Sequence, residues 1–401
     1  MTPSSSVTSS KKKLSLGIVQ THPTQFDGPL FRGIAQKNDF NLMVYYTKTM
    51  QGLFDPEVGR NPNWSDENIE GYESYRASNG FFGQLWALLN ILKQKHDLMI
   101  FSGYKSFFYF VCPYVCRFFG IATGLRSDNI LCNENKNSVK WRVKRLILPT
   151  LFRIYTTGYP VGTLAADYLK NFGFSSKKIF LLPYTIDADK FRLQYERQQS
   201  FACARREKLG IPESSFVILG VMKLVAREDP MTLLRAFEKV TVEHPQVHLV
   251  LVGSGELERP IKDFITQNSL TRVHLTGYIQ RTDLAAYYSI ADVFVHPAVK
   301  ESWGVSVHES LACGVPVISS DRVGAAADLV LPENCGLVFK AGDSDMLARL
   351  LKTVITNRKM LMNFSQNSNK VMERWSIDST IRNLYASLIA VSGLERAGGV
   401  L

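Results

Sequence analysis

The chain has 401 residues, which at about 150 residues per domain suggests two or three domains. Hydrophobic residues make up 45% and charged residues 21%. That globular balance excludes a mostly disordered or collagen-like chain, and no apolar run of about 18 residues offers a membrane span. The formal charge is +11. Residues 1–195 hold 24 Lys and Arg against 14 Asp and Glu, so +10 of it lies in the first half. A basic half points to an anionic partner, namely nucleic acid, acidic lipid or a phosphorylated substrate, unless the charge is simply solvated. No nucleic-acid-binding module is visible, so nucleic acid is not expected. The six cysteines form no Cys-x-x-Cys pair and read as the reduced thiols of a cytoplasmic protein. Met1–Lys13 is polar and Ser-rich, without the apolar core of a secretory leader. A disordered tail is expected there.

In chain order, strand and helix alternate. Leu14–Gln20 is a β-rich run and Pro29–Gln36 a helix. Leu42–Tyr46 is a strand, Phe82–Lys93 has helical spacing, Leu98–Ser102 is a buried strand and Phe107–Phe119 an aromatic helix. Ile154–Thr157 and Ile179–Leu182 read as short strands, while residues 49–80 lack a period and read as an insertion or substrate loop. A polar, charged boundary follows Pro183. Beyond it come strands at Phe216–Met222, His248–Val252, Val273–Gly277, Val293–His296 and Val315–Ser319. Asp229-Pro230 opens a helix as N-cap and first helical residue, and Ile377–Ile389 is a final helix. The alternation implies an α/β chain of two Rossmann-like halves with parallel sheets. The expected division is a tail (1–13), a first domain (14–190), a second domain (191–376) and a closing helix (377–392) packing back on the first domain.

Ligands of open α/β sheets bind beyond the carboxyl ends of the strands. After the first strand stands Thr21-His22-Pro23-Thr24-Gln25-Phe26-Asp27-Gly28, which is no dinucleotide fingerprint, and there is no Walker loop. Gly253-Ser254-Gly255 is a lone G-x-G that reads as a tight turn. Asp187-Ala188-Asp189 and Asp343-Ser344-Asp345 read as structural, the second as a helix cap. No metal site and no cofactor are expected. The most informative stretch is 297-PAVKESWGVSVHESLACGVPVISSD-321, with seven residues between Glu301 and Glu309. A helix starting near Ser302–Gly304 puts Glu301 at its mouth and Glu309 two turns in. Its free N–H groups suit a phosphate. The deeper carboxylate suits a vicinal diol, though on spacing alone a helix N-terminal acid and one solvated Glu explain the pair better.

That stretch resembles the E-x7-E signature of the family-four retaining glycosyltransferases, which have the GT-B fold of two Rossmann-like domains facing a central cleft. The likeness extends through 284-LAAYYSIADVFVHPA-298, through Gly220–Phe237, which is similar to the family's phosphate-gripping segment, and through Phe180–Phe191, similar to its interdomain linker. It implies that Glu309 holds the ribose of a nucleotide-sugar donor and Glu301 the donor sugar. It also implies that Ser302, Trp303, Gly304 and Val305 lie against the sugar and β-phosphate, and that Gly28 lies near the phosphates. Lys223 matches the first of the family's two basic diphosphate-gripping residues. The second, five places on, is Glu228 here, and Arg227 is the candidate to replace it. On the acceptor side stand His22, Tyr104, Arg126 and Asp128. The resemblance implies a retaining, metal-independent transfer from a UDP- or GDP-linked sugar to a lipid-linked or saccharide acceptor. The competing reading is a catalytically inactive GT-B scaffold, favoured by Glu228. Lys136–Arg153 has six basic residues, no acidic one and interleaved apolar side chains, like a basic interfacial helix broken or kinked near Pro149. It points to peripheral docking on an anionic membrane at the cytoplasmic face.

Overall fold

The computed structural model describes residues 13–48 and 69–392. The expected tail up to residue 12, and residues 49–68 of the expected loop, lie outside the described residues. In the first half, β1 (Leu14–Gln20), β2 (Phe40–Tyr46), β3 (Glu73–Arg76), β4 (Leu98–Ser102), β5 (Ala122–Ser127) and β6 (Thr157–Pro160) form a parallel sheet of order β3-β2-β1-β4-β5-β6. In the second, β7 (Phe216–Val221), β8 (Val247–Val252), β9 (Val273–Gly277), β10 (Val293–His296), β11 (Val317–Ser320) and β12 (Gly336–Phe339) run β12-β11-β10-β7-β8-β9. Numbered within each half, both orders are 3-2-1-4-5-6. The order reverses between β1 and β4 and again between β7 and β10, and ligands of such sheets bind at those reversals. Central strands such as FVILGV and VHLVLV are nearly continuous apolar runs and are buried on both faces, as parallel sheets require.

The helices of the first half are α1 (Gly28–Gln36), α2 (Phe81–Gln94), α3 (Phe107–Phe118), α4 (Val139–Phe152) and α5 (Thr163–Asn171). Next come α6 (Ala188–Gln199) and α7 (Ala202–Lys208), then α8 (Pro230–Glu243), α9 (Glu258–Gln267), α10 (Arg281–Tyr288), α11 (Val305–Ala312), α12 (Ser344–Thr356), α13 (Arg358–Arg374) and α14 (Ile377–Ser392). Asp229 caps α8 by accepting from the Thr232 amide (3.3 Å) and hydroxyl (2.6 Å), with Pro230 at the first turn. The two D-x-D triplets are likewise caps. Asp187 accepts from Lys190 N (3.1 Å) and Asp343 from Met346 N (2.8 Å).

Several expectations are corrected. Glu73–Arg76 is not loop but an edge strand paired with Met43–Tyr46. The strand expected at 154–157 begins only at Thr157, because the turn ending α4 consumes Arg153–Tyr155. Ile179–Leu182 is no strand. It makes one bridge to Gly158, and its amides at Phe180 and Leu182 bond the Gly158 and Pro160 carbonyls. The charged boundary after Pro183 is largely helical: it holds α6, with Phe191 buried in the second core. Helix α4 continues through Pro149 to Phe152.

Helices α2, α3 and α4 cover one face of the first sheet. Their inward residues, among them Ala87, Ile91, Tyr109, Cys112, Trp141 and Leu148, share one core cluster. Their outward faces are apolar too. Phe82 is 74% exposed, Trp86 60%, Phe118 85% and Leu146 79%. Phe107–Phe118 is therefore core on one side and an exposed aromatic face on the other. None of the three helices carries an acidic residue, whereas Lys93, Arg117, Lys140, Arg142 and Arg145 on them are exposed.

Helix α14 returns to the first half. Ile381, Leu384 and Leu388 join its core, Ser387 bonds the Tyr159 hydroxyl (2.7 Å) and Asp378 pairs with Lys37 (2.8 Å). The halves touch closely at Gly162. A Cβ there would stand 2.4 Å from both Asp328 Oδ2 and the Trp303 ring, and Asp328 accepts from the next amide, Thr163 N, at 2.8 Å. Gly162→Ala should therefore lower stability by about 1–3 kcal/mol, read as a fall in melting temperature. An unchanged melting temperature would mean that this contact is not held in solution.

Candidate functional site

A cleft of about 1530 Å³ runs between the two strand-order reversals. From the first half it takes residues after β1 (Thr21, His22, Asp27), β4 (Gly103) and β5 (Asp128). From the second it takes residues after β7 (Met222, Lys223), β8 (Gly253), β9 (Tyr278) and β10 (Glu301 to Val305). Of the residues expected from the sequence, His22, Arg126, Asp128, Lys223, Arg227, Glu301, Ser302, Trp303, Gly304, Val305 and Glu309 all line it.

Two do not. Gly28 is buried at the first turn of α1, beneath the lining residues Asp27 and Pro29. Tyr104 turns its hydroxyl onto Tyr168 (2.9 Å) and packs edge-on against Phe152. Arg126 lines the cleft but is committed to its floor. Its Nη1 donates to Asp27 Oδ1 (2.5 Å), Nε to Leu182 O (3.2 Å) and Nη2 to Pro183 O (2.9 Å), with Tyr184 stacked on its guanidinium. Asp27 Oδ2 accepts from Gln20 Nε2 (2.7 Å) and Thr24 Oγ1 (2.8 Å). This pair is some 97% buried on both sides. Asp128 accepts from the Tyr184 hydroxyl at 3.2 Å. Burial, and secondarily Lys48, push His22 below the ordinary histidine value.

The second half supplies the charged wall. Gly304, at φ +95°, caps α11 in a left-handed conformation that favours glycine, and turns the helix start toward the cleft. Glu301 Oε1 accepts from Trp303 N at 3.2 Å. Arg227 Nη1 lies 2.7 Å from Glu228 Oε1 and 3.2 Å from Glu301 Oε2, so one guanidinium bridges both carboxylates. Behind them is His296, at the end of β10. Its Nε2 is 3.6 Å from Glu228, and burial lowers its pKa to about 4, leaving the ring neutral. Because α11 starts only at Val305, Glu309 lies just over one turn in rather than the expected two, and is 4% exposed. Burial raises its pKa, and Arg281, whose Nε donates to Oε1 at 3.2 Å, pulls it back.

Sequence reading missed Arg281 and His296, which stand alone at a helix start and at a strand end. It also expected no metal site, yet ligand atoms of Glu228, His296 and Glu301 lie within 4.8 Å of one another. Arg227 sits between the two carboxylates where a cation would go. His244 and His248 stand four apart, but Pro245 divides them between the end of α8 and β8. His248 instead stacks on His274 with ring nitrogens 2.9 Å apart.

The chain's likeness to known proteins agrees with this geometry. Residues 204–371 match the family described as glycosyl transferases group 1. Across 94% of the chain the fold superposes on all of the Anabaena protein HepE in complex with UDP, with a TM-score of 0.73 at 17% identity. It likewise superposes on WaaG, a glycosyltransferase involved in lipopolysaccharide biosynthesis, with a TM-score of 0.65 at 15% identity. These likenesses establish the fold. The protein is an α/β chain of GT-B architecture whose second half is similar to the glycosyl transferases group 1 family. In sequence it is 28% identical over 58% of its length to a GDP-mannose-dependent phosphatidylinositol monomannoside mannosyltransferase of Corynebacterium glutamicum. It is 26% identical over 52% of its length to an alpha-monoglucosyldiacylglycerol synthase of Streptococcus pneumoniae. The matched stretches span 62% and 49% of those relatives' own length.

The buried Asp27–Arg126 pair decides what Arg126 does. Arg126→Met strands a buried carboxylate and should cost about 3–5 kcal/mol in urea unfolding. A variant as stable as the parent, impaired only toward acceptor, would return Arg126 to an acceptor-binding role.

Proposed function

We propose that the protein is a retaining glycosyltransferase that moves a sugar from a UDP- or GDP-linked donor to a lipid-linked or saccharide acceptor. The observation that carries this is the E-x7-E wall, with Glu301 at the mouth of α11 and Glu309 buried just over one turn in, both lining the cleft. The Glu309 carboxylate accepts hydrogen bonds from the ribose diol, Glu301 engages the donor sugar, and the start of α11 faces the β-phosphate. Breaking the sugar–phosphate bond builds negative charge on the departing diphosphate, and preorganised positive groups lower that barrier. Lys223, after β7, and Arg227 supply it. Arg227 already fills the carboxylate pair, which supports chemistry that calls on no metal ion. Attack comes from the face the diphosphate leaves, with the leaving phosphate taking the acceptor proton, so no protein nucleophile is required. The relatives named for GDP-mannose and for phosphatidylinositol or diacylglycerol acceptors support the donor and acceptor classes. Glu228, in place of the family's second basic residue, is what favours an inactive scaffold. Slow hydrolysis of a nucleotide-sugar by the pure protein separates the two readings.

The first test concerns the donor. Glu309→Gln should weaken UDP or GDP binding by about 1.5–3 kcal/mol in calorimetry. Lys223→Ala should lower kcat by about 10²–10³ with little change in melting temperature. Unchanged nucleotide affinity in a folded Glu309→Gln protein would remove the ribose role.

We also propose that the acceptor is met at an anionic membrane surface on the cytoplasmic side. No helix among the described residues is long and apolar enough to cross a bilayer. The α2–α4 face instead combines exposed aromatic side chains with basic residues and no acidic one, as interfacial binding requires. Each basic residue near an acidic leaflet contributes about 1 kcal/mol. Liposomes containing anionic lipid should carry the protein in flotation at low salt. Trp86→Ser with Phe118→Ser, or Lys140, Arg142 and Arg145 all changed to Glu, should release it. Retention of both variants would overturn docking through this face.

A further inference from the structure

We propose that Arg281 is a positioning residue that couples nucleotide capture to closure of the cleft, because one guanidinium holds the Glu309 carboxylate and the opposite wall together. Its Nε donates to Glu309 Oε1 at 3.2 Å within the second half. Its Nη1 donates to the Gln25 main-chain carbonyl of the first half at 2.8 Å. This rests on the reading of Glu309 as the ribose ligand, and names how that ligand is set.

The two ends of the bridge differ in kind. Arg281 opens α10 and Glu309 lies in α11, so their pairing survives any separation of the halves. The Gln25 bond does not survive it. Gln25 belongs to a turn that cannot yield locally. Asp27, two residues on, is fixed by Gln20, Thr24 and Arg126, and the Phe26 carbonyl accepts from Thr185 N at 3.3 Å. Arg281 therefore engages the first half as one rigid wall that moves with it. In the closed arrangement the two bonds on one planar fork fix the guanidinium, and through it the carboxylate. A lysine has one ammonium and cannot reproduce the fork.

The charge matters as much as the geometry. Glu309 faces Arg281 and the Tyr288 phenol from α10, and Cys313 from its own helix. His308 beside it is neutral, since burial lowers it to about 4. Burial pushes both the Tyr288 phenol and the Cys313 thiol well above their ordinary values, so neither is charged near neutral pH. Among these neighbours Arg281 alone carries a formal charge. It opposes the burial that raises the Glu309 pKa. A raised carboxyl is protonated as pH falls, and a protonated Glu309 loses acceptor capacity for the diol. Without Arg281, nucleotide binding should weaken further at the acidic end.

The test titrates UDP and GDP into the full chain between about pH 6 and 8.5, with small-angle scattering with and without nucleotide. It compares the parent, Arg281→Ala, Arg281→Lys and Glu309→Gln. Arg281→Ala should bind about 10- to 100-fold more weakly near neutral pH, lose affinity more steeply than the parent as pH falls, and show no compaction with nucleotide. Arg281→Lys should recover the parent's pH profile but not the compaction. Parent-like affinity, pH profile and compaction in Arg281→Ala would overturn the proposal, as would Ala and Lys variants with the same pH profile. If Glu309→Gln binds normally, the ribose reading itself fails. If it binds weakly while both Arg281 variants behave like the parent, only the coupling fails.

Discussion

The arrangement of the first half and of the linker depends on one buried ion pair. Burying Asp27 and Arg126 together is costly unless every donor and lone pair is used, and here Arg126 spends three N–H groups on Asp27, Leu182 O and Pro183 O. The same pair therefore fixes the turn after β1, the end of β5 and the chain leaving for the second half. Gln20, at the end of β1, and Thr24 complete the carboxylate's shell. The floor of the cleft is thus an interior network, although it borders solvent, and its polar residues hold shape as well as lining space. That shape sets where the Gln25 carbonyl stands, and so where the opposing wall can meet it.

The second half places its charges differently. Its cleft face depends less on burial than on compensation. Arg227 bridges Glu228 and Glu301 in one contact, and Arg281 offsets Glu309. A basic residue at 228 would have left a surplus of positive charge there for a diphosphate. With Glu228 in that place Lys223 and Arg227 together only balance Glu228 and Glu301, and on the proposed function a leaving diphosphate would draw on Lys223, the helix start and whatever share of Arg227 it can pull from the carboxylates. The sequence departure at one position thus becomes a statement about how strongly the resting site favours an anion.

Much of this was legible in the residues. The strands are nearly unbroken apolar runs, and Leu14–Gln20, Leu98–Ser102, Val273–Gly277 and Val293–His296 end where period and turn residues said they would. Glu301 and Glu309 lie on the cleft because a helix of 3.6 residues per turn, capped by Gly304, carries the second just over one turn inward. What stayed hidden depended on tertiary partners. Arg126 follows a strand, as a ligand residue would, yet its partners lie 56 to 99 residues away. Tyr104 shares that position type and is taken by Tyr168. The charged boundary concealed α6, whose one buried residue is Phe191. An aromatic run such as Phe107–Phe118 carries the same letters whether it faces core or water. Only the placement of α2 and α4 beside it shows that it does both.

On the proposed function the cleft takes a nucleoside diphosphate. A melting-temperature comparison with UDP, GDP and ADP tests it most directly on the unmodified protein. A nucleotide present at 100 times its Kd should add about 2.7 kcal/mol of stability. UDP or GDP should give a clear upward shift that saturates with concentration. No shift with any of the three, up to millimolar concentration, would contradict it.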